Sequence, residues 1–297
     1  MVEPGVIVKL GSVNAMSSLI VNGTLKVCGT RTNPVVFASC CDDKYGGDTD
    51  GTDESPIEKC WNSVFISGAD AVADIKYALF RYGGGRSSPG QATSGSTTYV
   101  YAPVRVSAGG EAKLDGCTFT DGYWGGIALM GGRVTAQNCL FIGNGGCAVY
   151  PDGGEATILN SVIYGCAGAV GNQAASGSNG KVTFANCIVD TVTNWENPFV
   201  GELGYDHCCF HNRTDGETGC GWAGSDGNIE LDPLFNDQAN GDFRLVKGST
   251  ALDKGVKELW MADPDGQDFF GGRRVSNLIP DLGYHELQVG GFFLIVR

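Results

Sequence analysis

Short runs in which every second residue is apolar recur along the middle of the chain at a nearly fixed interval. The copies are AKLDGCTF (112–119), RVTAQNCLF (133–141), EATILNSVI (155–163), KVTFANCIV (181–189) and ELGYDHCCF (202–210). A pair anchors each: Gly116-Cys117, Asn138-Cys139, Asn160-Ser161, Asn186-Cys187 and His207-Cys208, spaced 22, 22, 26 and 21 residues apart. Before the anchor, Leu114, Ala136, Ile158, Phe184 and Tyr205 alternate with Lys113, Thr135, Thr157, Thr183 and Gly204. Period two sends those apolar residues to one face of a strand. After the anchor a second alternation follows, ending in Phe119, Phe141, Ile163, Val189 and Phe210. ADIKYALF (73–80) fits the same template 39 residues earlier. A third apolar triplet recurs as Ile127-Ala128-Leu129, Cys147-Ala148-Val149 and Gly168-Ala169-Val170.

A period in the twenties marks a solenoid, because one unit cannot bury its apolar face without a stacked neighbour. Three short strands per coil, divided by Asn or Gly corners, predict an all-β parallel β-helix. Asn and Gly suit such corners because they tolerate left-handed backbone. Stacked Asn138, Asn160 and Asn186 can also hydrogen-bond from coil to coil. A leucine-rich repeat would carry a regular Leu framework, and helical repeats would carry apolar residues at i, i+3 and i+4; neither pattern occurs.

Composition refines this picture. The 47 glycines and a charged fraction of only 18% suit a strand-and-corner protein. The 20 basic and 33 acidic residues leave −13, which repels phosphate backbones, argues against nucleic acid as a partner and favours cations. The apolar run from Phe292 to Val296 is far too short to span a bilayer, so no membrane insertion is expected. Met1 is followed by Val2, Glu3, Pro4 and Gly5 rather than a leader, which reads as a mature form or an excised piece. Of the 12 cysteines, Cys117, Cys139, Cys187 and Cys208 share one position with Ser161 and Ala78, which reads as a ladder of small buried thiols. Cys28, Cys40, Cys41, Cys60, Cys209 and Cys220 lie outside it and are the better disulfide candidates. The adjacent pairs Cys40-Cys41 and Cys208-Cys209 would alternate in direction on a strand.

The ends carry a family resemblance. PGVIVKL (4–10), SSLIVNGTLKVCGTRTNPVVFAS (17–39), the acidic CDDKYGGDTDGTDESP (41–56) and then Trp61 resemble the N-terminal coils of bacterial extracellular right-handed parallel β-helix repeat proteins of the pectin-lyase-like superfamily. ELDPLFNDQANGDFRLVKGSTALDKGV (230–256), DPDGQDFFGGRRV (263–275) and PDLGYHE (280–286) are similar to their closing segment. The resemblance implies a right-handed β-helix, three strands per coil, and a secreted or cell-surface setting. Residues 1–231 are then coils, interrupted by the acidic loop 41–56 and a Gly/Ser/Thr excursion over 82–103. Residues 232–289 form closing coils, and 290–297 an apolar tail strand.

The acidic loop is the first candidate site. Asp42, Asp43, Asp48, Asp50, Asp53 and Glu54 lie among glycines, and such hard oxygens suit calcium; a solvated loop is the alternative. Asp263, Asp265 and Asp268 around Gly266 pose the same choice, with a turn favoured by the family pattern. His207, Cys209 and His211 would share one strand face as zinc ligands, against a plain variation of the ladder beside a surface histidine. The superfamily's polygalacturonase hallmarks (Asn-Thr-Asp, Gly-His-Gly, Arg-Ile-Lys) and the pectate-lyase Trp-Ile-Asp-His are missing, so no catalytic residue is named. Tyr82, Tyr99, Tyr101, Tyr123, Trp124, Trp195 and Trp222 offer rings for sugar stacking or simple packing. Asn22 and Asn212 begin sequons.

Two functional readings follow. The first is a non-catalytic exterior module, scaffold or adhesin, with Phe292, Phe293, Leu294, Ile295 and Val296 docking on a strand edge of another copy to give a homo-oligomer or filament. The second is an enzyme on an acidic polysaccharide, a lyase or glycoside hydrolase. There the excursion walls a groove, and Arg81, Arg86 and Arg105 meet uronate carboxylates.

Overall fold

The structure is a computed structural model that describes residues 1–11, 17–53, 55–56, 61–85, 102–171, 180–192, 201–212, 225–257, 266–276 and 278–288. One coil illustrates the rest. Strand Glu111–Asp115 turns at Gly116 into Thr118–Thr120, and the chain then reaches Ile127–Met130 before beginning the next coil at Arg133–Gln137. Each strand pairs in parallel with its counterpart one coil away, which builds sheets of seven, nine and six strands. The register keeps like over like: Val134 pairs with Ala112 and Ala156, and Ala136 with Leu114 and Ile158. The architecture is an all-β right-handed parallel β-helix.

Two left-handed residues shape each coil from Tyr77 to Asn212. Tyr77, Gly116, Asn138, Asn160, Asn186 and His207 close the seven-stranded sheet with φ between 46° and 66°. Five positions on, Tyr82, Asp121, Gly143, Gly165, Thr191 and Asn212 open the next corner with φ between 49° and 63°. Beside Asp121, Gly143, Gly165 and Asn212, the second row holds a Tyr and a β-branched Thr. Such residues cost about 1–2 kcal/mol in this region, so the coil stack imposes the bend on them.

The interior is layered. Phe37, Phe80, Phe119 and Phe141 stack nearly parallel, with centroids 5.0, 4.9 and 4.8 Å apart. Each such pair adds about 0.5–1.5 kcal/mol beyond its burial. Beside them runs the thiol row. Cys139, Cys187 and Cys208 donate to the carbonyl two residues back at 3.2, 3.3 and 3.5 Å, as the Ser161 hydroxyl does at 2.7 Å. Burial raises the Cys139 and Cys208 thiols well above their ordinary range. Among the described residues every cysteine is a free thiol, including the disulfide candidates Cys28, Cys40, Cys41 and Cys209. Cys60 and Cys220 lie outside those residues.

The C-terminal part departs from the expected closing coils. Ile229–Glu230 still joins the nine-stranded sheet, but Phe235–Asp237 and Asp242–Leu245 form an antiparallel hairpin. The described residues beyond it run as an irregular strap over the outer face of that sheet. There Phe243, Leu245, Ala251, Leu282 and Tyr284 pack on Leu140, Val162, Ile188 and Cys209. The physical reason lies in the sheet itself. From Leu140 onward its outer face carries the apolar row Leu140, Val162, Ile188 and Cys209, and a sheet apolar on both faces there must be covered on both. The strap also reads the asparagine row: Arg274 Nη1 donates to Asn138 Oδ1 (3.3 Å), Val256 N to Asn186 Oδ1 (2.8 Å) and Asn186 Nδ2 to Val256 O (3.0 Å). Vertically, Asn186 Nδ2 donates to Asn160 Oδ1 at 3.2 Å. The tail residues Phe292, Phe293, Leu294, Ile295 and Val296, and residues 86–101 of the excursion, lie outside the described residues.

Candidate functional site

The acidic loop leaves the nine-stranded sheet at Ser39, the last residue of Val35–Ser39. Its carboxylates go separate ways. Asp42 is buried and pairs with Arg81 Nη1 at 2.9 Å, while Arg81 Nε reaches Asp121 at 3.3 Å. Rings of Tyr45 and Tyr82 flank that guanidinium at 5.3 and 4.8 Å. Asp48 accepts from the amides of Asp50 and Gly51, capping its own turn. Asp50 Oδ1 accepts from the amide and hydroxyl of Thr52. Asp43 and Asp53 face solvent, and Glu54 lies outside the described residues.

A lysine fills the cradle that the loop carbonyls make. Lys9 Nζ donates to Cys40 O at 3.4 Å, Asp42 O at 2.9 Å and Gly47 O at 2.7 Å. The loop therefore already holds a cation of its own. The expected calcium set of Asp42, Asp43, Asp48, Asp50 and Asp53 does not converge. No three of these carboxylates bring their oxygens within 4.8 Å of one another. Pairing with Arg81 and turn capping use the lone pairs that a hard cation would need.

What does converge is different chemistry. Cys40 Sγ, Cys41 Sγ and an Asp50 carboxylate oxygen lie within 4.8 Å of one another, the only such group among the described residues. The two sulfurs are 3.7 Å apart. Both cysteines are buried in the turn after the strand, so the strand alternation expected of this pair does not apply. Burial pushes the Cys41 thiol up to about 12, and the Asp50 carboxylate beside it adds to the rise. Cys208 and Cys209 do alternate: Cys208 joins the interior row, and Cys209 packs under the strap with its thiol on Leu231 O at 3.1 Å.

The other expected sites separate. His207 is a left-handed corner residue rather than part of the strand Cys209–His211, and its ring meets Asp206 at 2.6 Å. His211 meets Asp190 at 3.1 Å. The three zinc candidates thus take three different partners. Asp268 is buried and accepts from the amides of Phe270, Gly272 and Glu286, a turn-forming role; Asp263 and Asp265 lie outside the described residues. Arg105 is buried with its guanidinium over Phe65 at 4.8 Å, away from solvent rather than poised for a uronate. Arg86, Tyr99, Tyr101, Trp195 and Trp222 lie outside the described residues. Tyr123 and Trp124 pack edge to face at 5.1 Å.

A parallel coil stack with paired left-handed corners and an inward asparagine and thiol row defines a β-helix module. Residues 73–229, more than half of the chain, match the family described as right handed beta helix region, and the chain belongs to that family. Comparison with curated proteins finds no match.

Proposed function

We propose that the chain is a non-catalytic β-helix module of the cell exterior, a stiff scaffold or adhesin. The supporting observation is where the buried polar side chains are spent. Asn138 and Asn186 tie coil to strap, Asn160 accepts from Asn186, and Asn144 and Asn228 bond backbone groups one coil away. Arg274, fully buried, meets Glu286 at 3.6 Å and donates to the carbonyl of Asp281 at 3.1 Å. Side chains committed in this way hold one shape. Burial that disfavours thiolate also keeps oxidants away, so the thiol row would persist in an oxidising setting.

The outer face of the seven-stranded sheet offers the contact surface. Glu111, Arg133, Glu155, Lys181 and Glu202 stand in register along it with alternating sign. A flat ladder of alternating charge suits a repetitive polar partner such as a glycan or a neighbouring rod. The test is a screen of pectin, alginate and glycosaminoglycans for binding, for new ultraviolet absorbance and for new reducing ends. Binding without product formation supports the module. Turnover of any of the three replaces it with the lyase or hydrolase reading.

A further inference from the structure

We propose that Cys40, Cys41 and Asp50 form a binding site for a thiophilic divalent cation of the zinc class, separate from and independent of the scaffold role. The spacing carries the argument. Tetrahedral zinc with bonds of about 2.3 Å to sulfur sets two thiolates about 3.8 Å apart. The two sulfurs here stand 3.7 Å apart. A disulfide needs about 2.0 Å, so these are two reduced thiols in hydrogen-bonding contact, at a separation that a tetrahedral metal can bridge. The third donor comes from across the loop, with all three ligand atoms inside 4.8 Å.

Asp50 is prepared for that role. Thr52 holds Oδ1 from its amide (3.1 Å) and its hydroxyl (3.0 Å), which fixes the carboxylate. The other oxygen, Oδ2, is buried and takes no bond from nitrogen or oxygen. The groups beside the carboxylate are the Cys41 and Cys40 thiols, so a cation that replaces the thiol protons would meet it directly. The turn carrying the thiols is braced as well: Cys41 N donates to Ser39 Oγ (3.1 Å), and Thr49 Oγ1 and Lys9 Nζ both donate to Cys40 O (3.2 and 3.4 Å). Outer bonds of this kind orient ligands. Cys40 and Cys41 are 8% and 5% exposed while Asp50 is half-buried, so access is from the loop side.

Two sulfurs and one oxygen select a borderline-soft ion over calcium or magnesium. On binding, the two thiol protons pass to solvent, two metal–sulfur bonds and one metal–oxygen bond form, and no electron moves. Three protein donors leave a fourth position for water.

The test uses the full chain, reduced and freed of metal, titrated with zinc by equilibrium dialysis. Cadmium serves as a second probe through its sulfur-to-metal absorption. The wild type is expected to take up one ion per chain and to show the sulfur band. Replacing Cys40 and Cys41 together with Ser should abolish both. Asp50→Asn should weaken uptake by about tenfold or more. Cys28→Ser, outside the cluster, should behave as wild type. If the double variant is misfolded by circular dichroism, protection of Cys40 and Cys41 from alkylation by one equivalent of zinc, mapped by mass spectrometry, decides instead. Uptake retained in the double variant, no uptake by the wild type, unchanged affinity in Asp50→Asn, or no protection overturns the assignment.

Discussion

Arg274 donates from Nη1 to the Oδ1 of Asn138 at 3.3 Å, which joins two residues 136 positions apart. The contact fastens the strap to the corner row of the helix. Around the same guanidinium stand the carbonyl of Asp281 at 3.1 Å and Glu286 at 3.6 Å. One side chain thus connects the coil corner to two parts of the C-terminal segment.

Arg274→Ala should therefore be severely destabilising. It strands the buried carboxylate of Glu286, a situation that costs about 3–5 kcal/mol. Urea unfolding would measure the loss. A change under 1 kcal/mol would mean that the strap does not depend on this contact.

Asn186 does two jobs that two variants separate. Asn186→Gly keeps the left-handed corner (φ 53°) but removes the bonds to Asn160 and Val256. Each net bond is worth about 0.5–1.5 kcal/mol. Asn186→Ala loses the same bonds and adds about 1–2 kcal/mol of backbone strain. Equal denaturation midpoints for the two would contradict the strained corner.

In the interior, Phe119→Ala removes the middle of the stack between Phe80 and Phe141 and should cost about 3–5 kcal/mol. Cys139→Ser should be mild by comparison, because Ser161 already makes the same bond to the carbonyl two residues back. Cys139→Val overfills the row, at about 1–3 kcal/mol. Thermal melts of the three variants give the order.

Acid should act on the strap in two opposed ways. Burial raises Asp281 and Glu286 above the ordinary carboxylate range. Between that range and their raised values the folded chain holds protons that the unfolded chain has released. Stability from these groups accordingly falls as pH rises through the window. Burial lowers His285, whose Nδ1 accepts from the Leu245 amide. Its contribution is present above the ordinary histidine value and is lost as pH falls below it. Unfolding of wild type and Glu286→Gln from pH 4 to 8 separates the two. The variant should lose the Glu286 share of the decline with rising pH and keep the Asp281 share and the histidine part; identical profiles would refute the assignment.

Some of this was legible from residue order and some was not. The spacing of Asn138, Asn160 and Asn186, and the alternation around Cys139 and Cys187, define coil, corner and interior because those are local consequences of stacking strands two dozen residues apart. The left-handed rows are only half legible. Asparagine announces the first, whereas Thr191 and Tyr82 in the second adopt a conformation that their own chemistry disfavours. The destination of the C-terminal segment was hidden too. Leu140, Val162 and Ile188 read as fillers between interior positions, and only three-dimensional stacking turns them into one apolar face awaiting a cover.

The acidic loop shows the same division most sharply. Sequence determined that carboxylates, glycines and two cysteines lie close together in a loop. The tertiary structure decided which of them meet. Lys9 reaches in from a strand 33 positions away from Asp42. Arg81, 39 positions from Asp42, claims that carboxylate, and Cys40, Cys41 and Asp50 are left facing one another. Partner choice depends on distances between segments that chain order does not encode, whereas periodicity depends only on neighbours along the chain.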